Sequence, residues 1–198
     1  NENSLGMSPN ALSAAKTAIE NCGNRYPDAA VDEFKLKLAD LHNVKPEQII
    51  FGNGSTEVLQ AIATYAAQNN ATMVEPSPTF GDLKGYCKAE NLKVIQVPVG
   101  QNFEMNIAAL KKQAMAQTGA VLINICNPNN PTGNIVDFTT LFNWINNAPE
   151  THLFLLDEAY FDYAQANARY KSGLELINQG KDNVVITRTF SKVHGMAG

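Results

Sequence analysis

The chain has 198 residues, of which 44% are hydrophobic and 17% are charged, as is typical of a globular protein. Its formal net charge of -4 provides no electrostatic basis for binding nucleic acid, and no stretch reaches the ~20 apolar residues of a membrane span. The three cysteines, Cys22, Cys87 and Cys126, have neither metal-binding nor disulfide-framework spacing. We therefore expect a reducing, cytoplasmic location, with a leader removed before Asn1 as the alternative.

The first third of the chain predicts helices separated by turns. Residues 9–21 are predicted to be helical, with Ser8 as the cap. Residues 29–41 form a second predicted helix, and residues 48–51, QIIF, form a short predicted strand. The glycine turn GNG then leads into a third helix, STEVLQAIATYAAQ, at residues 55–68.

The rest of the chain alternates predicted strands with helices. The strands are ATMVE at 71–75, LKVIQVPV at 92–99, AVLINIC at 120–126, HLFLLD at 152–157 and NVVITRTF at 183–190. Several of them are continuous apolar runs, which are typical of a parallel sheet covered by helices on both faces. The predicted fold class is therefore α/β and doubly wound.

Chemically active side chains follow four of the predicted strands. QIIF leads into the glycines and hydroxyls of GNGSTE, and LINIC leads into the asparagines of NPNNPTG. HLFLLD ends on Asp157, and the last strand leads to Ser191 and Lys192. Because ligands of open α/β sheets bind outside the carboxyl ends of the strands, these groups are predicted to share one site.

The first two motifs each allow a structural alternative. GNGSTE opens a helix, whose free N–H groups and dipole favour an anion such as phosphate, with Ser55 and Thr56 as further donors. Alternatively, Ser55 or Thr56 only caps the helix. In NPNNPTG, a plain turn explains most of the composition, but the Asn130 amide can both donate and accept hydrogen bonds. Phe80, in EPSPTF, is either a core residue or an aromatic that lies on a flat ligand.

Asp157 and Lys192 are the candidate reactive groups. A carboxylate at the end of a buried strand needs a partner, which a pyridinium N–H or a helix cap could supply. Tyr160 faces the same side as Asp157 if the local backbone is helical, and is otherwise a core aromatic. Lys192 follows a buried strand and lies beside Thr189 and Ser191, whose hydroxyls could hold a phosphate. An amine, a carboxylate, a phosphate cradle and an aromatic together indicate pyridoxal 5'-phosphate.

Seven motifs in order resemble those of the fold-type-I pyridoxal-phosphate aminotransferases of class I/II, and most closely those of the histidinol-phosphate aminotransferase branch. They are NEN at 1–3, RYPD at 25–28, GNGSTE at 52–57, EPSPTF at 75–80, NPNNPTG at 127–133, DEAY at 157–160 and TFSK at 189–192. The resemblance implies a three-layer α/β/α large domain with a mostly parallel, mixed sheet. Pyridoxal phosphate is the implied cofactor.

The resemblance also implies catalytic roles. Lys192 matches the lysine that forms a Schiff base with the cofactor and then moves a proton during the reaction. Asp157 matches the acid that keeps the pyridine nitrogen protonated. Asn130 and Tyr160 match the pair that hydrogen-bonds the cofactor's ring oxygen.

Further positions match the cofactor-binding segments of the family. Ser55, Thr56, Thr189 and Ser191 fall in phosphate-binding segments, and Phe80 matches the aromatic that stacks on the ring, although family members often have Tyr there. Tyr26 matches a tyrosine that reaches the phosphate in the neighbouring subunit. The resemblance therefore implies a homodimer with shared active sites, an amino donor and a 2-oxo acid acceptor.

The family pattern continues beyond Gly198 with a Leu, a phosphate-binding Arg and a C-terminal small domain. We therefore expect residues 1–30 to be an N-terminal arm and small-domain segment, and residues 31–198 to be an incomplete large domain that is inactive alone. Three hypotheses stay open: an aminotransferase, another pyridoxal-phosphate reaction such as amino-acid phosphate decarboxylation, and a non-catalytic cofactor-binding or dimerising domain.

Overall fold

Five short strands form one parallel sheet. A computed structural model describes residues 2–26 and 28–197, without the side chains of residues 28–30. The strands are β1 Thr72–Ser77, β2 Val94–Pro98, β3 Val121–Cys126, β4 His152–Asp157 and β5 Val184–Thr187. Their order is β2-β1-β3-β4-β5, and all four pairings are parallel. The predicted mostly parallel sheet is confirmed, and each of the five later strand predictions overlaps one observed strand.

Helices cover both faces of the sheet. The helices are α1 Pro9–Cys22, α2 Asp28–His42, α3 Gly54–Gln68, α4 Asp82–Ala89, α5 Ile107–Met115, α6 Phe138–Asn146, α7 Phe161–Ala164 and α8 Leu174–Asn178. One hydrophobic cluster joins α5, α6 and α8 to one face of the sheet, and a second joins α3 and α4 to the other. This three-layer α/β/α arrangement confirms the predicted fold class.

Burial on both faces explains the continuous apolar strands. In β4, Leu155 packs in the cluster with α3 and α4, while Leu156 packs in the cluster with α5, α6 and α8. Successive strand residues point to opposite faces, so a strand covered on both sides needs apolar residues at every position. Asp157 ends β4 on the same face as Leu155, which places its carboxyl on the α3 side of the sheet.

The N-terminal helices agree with the sequence prediction, but the strand prediction for QIIF is wrong. Ser8 caps α1, since its Oγ accepts a hydrogen bond from the Ala11 N–H at 3.2 Å. Residues Pro46–Gln48 form a 3-10 helix, and residues 49–51 belong to no described strand. Phe51 stacks on Phe34 of α2, with 5.4 Å between ring centroids. This stacking, instead of strand pairing, occupies the apolar side chain.

The strand order reverses direction between β1 and β3, because the chain goes from β1 to β2 on one side and then crosses to β3 on the other. The crevice outside the carboxyl ends at such a switch point is where open α/β sheets bind ligands. Helix α3 leads into the amino end of β1, so its own first turn, at Gly54, lies toward the carboxyl edge of the sheet. The fold therefore directs the N-terminus of α3 and the carboxyl ends of all five strands to one edge.

Within the described residues, no helix is both long and apolar enough to cross a membrane. The division of the chain at residue 30 into an N-terminal segment and a large domain stays a prediction.

Candidate active site at the carboxyl edge of the sheet

Asp157 is a buried carboxylate at the end of β4. It is 4% exposed, and its Oδ1 accepts hydrogen bonds from the Ala159 N–H at 3.1 Å and the Thr187 hydroxyl at 3.2 Å. Helix α7 begins at Phe161, so the alternative that Asp157 caps this helix is wrong. Burial raises the pKa of Asp157, and the nearby Lys192 ammonium group opposes part of this rise. A carboxylate in this environment favours a cationic partner.

Lys192 and Tyr160 lie close to this carboxylate. The Lys192 Nζ is 5.8 Å from the centroid of the Tyr160 ring, and both side chains are half-buried. Burial raises the pKa of the Tyr160 phenol, and the charge of Asp157 adds to the rise, so the phenol stays protonated at neutral pH. Residues 158–160 are not helical, yet the turn at 159–160 brings Tyr160 to the side of Asp157. The structure thus joins three residues that the sequence predicted to act together.

The asparagine-rich loop forms the wall beside Tyr160. Asn130, Pro131, Tyr160 and Tyr163 line one cavity of about 420 Å³. Asn129 fixes this loop, since its amide donates to the Thr132 hydroxyl at 2.9 Å and to the Pro78 carbonyl at 3.1 Å. The amide of Asn130, half-buried at the cavity wall, is therefore held on the same side of the site as the Tyr160 phenol.

The first turn of α3 brings its backbone N–H groups near the same edge. Its cap residue, Asn53, makes no side-chain cap hydrogen bond, and Ser55 and Thr56 are in the first helical turn. The alternative that Ser55 or Thr56 caps the helix is therefore wrong. Glu57 instead accepts hydrogen bonds from the backbone N–H and the side-chain amide of Asn53, at 2.6 and 2.9 Å. An anion is favoured at a helix start of this kind.

The remaining predicted residues have different surroundings. In the lysine loop, defined as residues 188–197, the Thr189 hydroxyl donates to Ser191 Oγ at 2.8 Å, so the two hydroxyls form one cluster. Phe80 is half-buried and packs against the hydrophobic cluster of α3 and α4, as a core aromatic does. Tyr26 is 93% exposed, so it is not part of the site formed by the other residues of this chain.

Sequence reasoning missed several residues that hold the site. Thr187 is the hydroxyl partner of Asp157, and Asn3 donates to the backbone of Lys192. On the same sheet face, the fully buried Glu75 accepts hydrogen bonds from Gln96 at 2.9 Å and Asn124 at 3.2 Å. The signal available in the sequence was a polar residue inside an apolar strand, which requires a polar partner.

A buried ion pair beside the site was also missed. Glu158, 3% exposed, accepts two hydrogen bonds from Arg188, at 2.9 Å from Nη2 and 3.1 Å from Nε. The Ser172 hydroxyl and the Gly173 N–H also donate to this carboxylate. The Arg188 guanidinium lies 3.7 Å from the centroid of the Phe161 ring. Because Glu158 follows Asp157 and Arg188 begins the lysine loop, this pair joins the two chain segments that carry the reactive groups.

Replacing Arg188 with Met is expected to lower the free energy of unfolding by roughly 3 kcal/mol, because it leaves the Glu158 carboxylate buried without its cation. Burial already raises the pKa of Glu158 despite Arg188, so protonation relieves the unpaired charge. The loss should therefore be larger at pH 8 than at pH 5, as measured by urea unfolding. Adding Glu158→Gln should recover part of it; equal losses in the single and double variants would contradict the pairing.

The fold and the candidate site together define an α/β protein that places a lysine, a tyrosine and a buried carboxylate at the carboxyl edge of a parallel sheet. The chain belongs to the class I and II aminotransferase family, whose family model matches residues 1–198.

Individual relatives agree with this family. A histidinol-phosphate aminotransferase of Moorella thermoacetica is 37% identical, covering 100% of this chain and 50% of that protein. A crystal structure from Erwinia carotovora atroseptica has a TM-score of 0.94 and 37% identity, over 100% of this chain and 57% of that one. The structure of histidinol-phosphate aminotransferase from Sinorhizobium meliloti in complex with pyridoxal-5'-phosphate has a TM-score of 0.88 and 26% identity. The match covers 100% of this chain and 52% of that one. The chain spans about half the length of the curated relatives it matches.

Proposed function

We propose that this protein is a pyridoxal-phosphate-dependent aminotransferase that moves an amino group between histidinol phosphate, or a related amine or amino acid, and a 2-oxo acid by ping-pong chemistry. The observation that carries the proposal is the placement of Lys192, Tyr160 and Asp157 together at the carboxyl edge of the sheet. Family membership and the names of the relatives support the reaction class. The activity is proposed for the whole protein, because the relatives are about twice as long as this chain.

The residues present fit this cofactor. Pyridoxal phosphate supplies, when bound, an aldehyde that combines with amines and a cationic ring that accepts electrons from the substrate. The Asp157 carboxylate, buried and with a raised pKa, is suited to bind the protonated ring nitrogen. The Asn130 amide and the Tyr160 phenol are donors for the ring oxygen. Phe80 is proposed to stack on the ring with the exposed part of its side chain.

The phosphate is proposed to bind where the first turn of α3 meets the lysine loop. Contacts between α3 and β5 support this placement, because the lysine loop follows β5 directly. The donors are the first-turn N–H groups of α3 and the hydroxyls of Ser55, Thr56, Thr189 and Ser191. Lys192 Nζ is proposed to hold the cofactor covalently at rest and to carry a proton between substrate and cofactor carbons during turnover.

The experiment that tests the function offers histidinol phosphate and 2-oxoglutarate to the protein with added pyridoxal phosphate. Glutamate should form in step with loss of the amine, and omission of the 2-oxo acid should stop turnover. The decarboxylase alternative is tested in parallel with an amino-acid phosphate. Release of carbon dioxide without amino transfer would show that the protein is a decarboxylase and not an aminotransferase. Absence of cofactor binding would favour a non-catalytic domain.

A homodimer with shared active sites is proposed, with Tyr26 reaching the cofactor phosphate of the neighbouring subunit. The support is its family match and its 93% exposure, which leaves the ring available to another chain. Mixing Tyr26→Phe subunits with Lys192→Ala subunits should produce hybrid dimers that have one site intact in both residues. Activity well above that of either parent is expected; isolated heterodimers without recovery would place Tyr26 outside the partner's site. Mixing each variant with itself is the control.

Two further proposals concern the setting of the chain. A cytoplasmic location is supported by the three free cysteines Cys22, Cys87 and Cys126. Residues 1–30 are proposed to be the N-terminal arm and small-domain segment, and residues 31–198 the large domain that holds the cofactor.

A further inference from the structure

The side chain of Asn3 joins the beginning of the chain to the lysine loop. Its Nδ2 donates hydrogen bonds to the backbone carbonyls of Lys192 and Val193, both at 3.1 Å. Its Oδ1 accepts a hydrogen bond from the Leu5 N–H at 3.0 Å. A side-chain amide has two N–H donors and one carbonyl acceptor, and all of them are used here. These contacts close a separation of 189 residues between Asn3 and Lys192.

The lysine loop lies beyond the sheet, so contacts other than strand pairing hold its backbone. Strand β5 ends at Thr187, five residues before Lys192. Within the loop, the Gly195 N–H donates to the Lys192 carbonyl at 3.1 Å, and the Met196 N–H donates to the Phe190 carbonyl at 3.0 Å. These bonds shape the loop but do not fix it to the rest of the protein. The bonds from Asn3 do so at the reactive lysine itself.

A direct backbone contact beside Asn3 supports the same arrangement. Gly195 has a φ of +64°, and a Cβ at this position would overlap the carbonyl group of Gly6. Glycine therefore lets the two backbones approach without intervening side chains. The N-terminal segment and the lysine loop are packed against each other, and Asn3 supplies the hydrogen bonds between them.

We propose that Asn3 is a positioning residue for Lys192. By holding two successive carbonyls, it fixes the backbone from which the lysine side chain extends, and so orders the loop before the cofactor binds. Binding is then stronger because it does not have to order this segment. This inference rests on the proposed function, and it gives a role to the third residue of the NEN motif; Asn1 lies outside the described residues.

The test replaces Asn3 with Asp, which has the same size and keeps an oxygen that accepts from the Leu5 N–H. The NH2 group becomes a carboxylate oxygen, which the carbonyls of Lys192 and Val193 repel. Amide hydrogen exchange of residues 188–197 should accelerate in the protein without cofactor. The Kd for pyridoxal phosphate, measured by absorbance, should rise about tenfold, the size expected for losing two hydrogen bonds. Asn3→Ala should give a smaller rise in the exchange rate of residues 188–197 and in the Kd.

Asn69→Asp is the matched control. The Asn69 side chain is exposed and its Nδ2 donates to the Tyr65 carbonyl at 2.8 Å, at the end of α3 far from the site. The same chemical change there should leave loop exchange and Kd unchanged. Equal unfolding midpoints for wild type and Asn3→Asp would show that the effect is local.

Several outcomes would overturn the proposal. Unchanged exchange in Asn3→Asp would show that Asn3 does not hold the loop, whatever the Kd. Faster exchange with an unchanged Kd would show that the loop is held but Lys192 is not positioned by it. A wild-type protein that binds no pyridoxal phosphate would overturn the proposed function itself, and that failure is visible without any variant.

Discussion

Replacing Lys192 with Ala is expected to abolish amino transfer and the absorbance band that pyridoxal phosphate gives when it is joined to the protein. The side chain has two proposed tasks, holding the cofactor and moving a proton, and loss of proton transfer alone costs on the order of 10²–10⁴ in rate. The measurements are the absorbance spectrum with added cofactor and the turnover rate. Borohydride reduction of the wild type should place the label on the peptide that contains Lys192.

Lys111→Ala is the control, since this lysine is exposed on α5 and lies outside the site. It should keep the band, the label and the rate of the wild type. A Lys192→Ala variant that transaminates at the wild-type rate would show that another amine carries the chemistry, and borohydride labelling elsewhere would identify it. Folding is not expected to change, because the half-buried Lys192 side chain is not part of either hydrophobic cluster.

Replacing Asp157 with Asn is expected to reduce turnover by roughly 10²–10³, because the amide cannot stabilise a positive charge on the ring nitrogen. Asn keeps an oxygen that can accept the hydrogen bonds now made by Ala159 and Thr187, so the variant isolates the charge. Asp157→Ala removes both features and should be no faster. Rates with saturating cofactor, measured for wild type and both variants, check this expectation.

The same substitution has an expected signature in the cofactor-free protein. Burial raises the pKa of Asp157, so the folded state binds its proton more tightly than the unfolded state does. The stability due to this carboxyl is therefore present below the ordinary Asp pKa of about 4 and is lost as the pH rises through the raised value. Asp157→Asn should remove this loss, as measured by urea unfolding across pH. If Asp157→Asn kept the wild-type turnover rate and the wild-type pH profile of stability, Asp157 would only stabilise the local turn.

The predictions that succeeded rest on local sequence physics. The largely apolar runs of β3 and β4 reflect burial on both faces, and Ser8 before Pro9 specifies the start of α1. The groups at the strand ends follow from parallel strands, whose carboxyl ends meet at one edge. The sequence alone therefore placed Asp157, Asn130 and Lys192 in one candidate site. In the failed strand prediction at residues 48–51, Phe51 stacks on Phe34 of the preceding helix α2, a tertiary contact that local periodicity does not predict.

The tertiary structure decided the contacts between residues that are distant in sequence. The strand order, in which β1 lies between β2 and β3, depends on crossovers that no local pattern encodes. The buried pair Glu158 and Arg188 and the bonds from Asn3 to the lysine loop join segments 30 and 189 residues apart. In the sequence, each member of these pairs is an ordinary polar residue, because its partner is determined only when the chain folds. Residue types and strand ends thus determined the chemistry of the site, whereas long-range packing determined how its lysine and carboxylate are held.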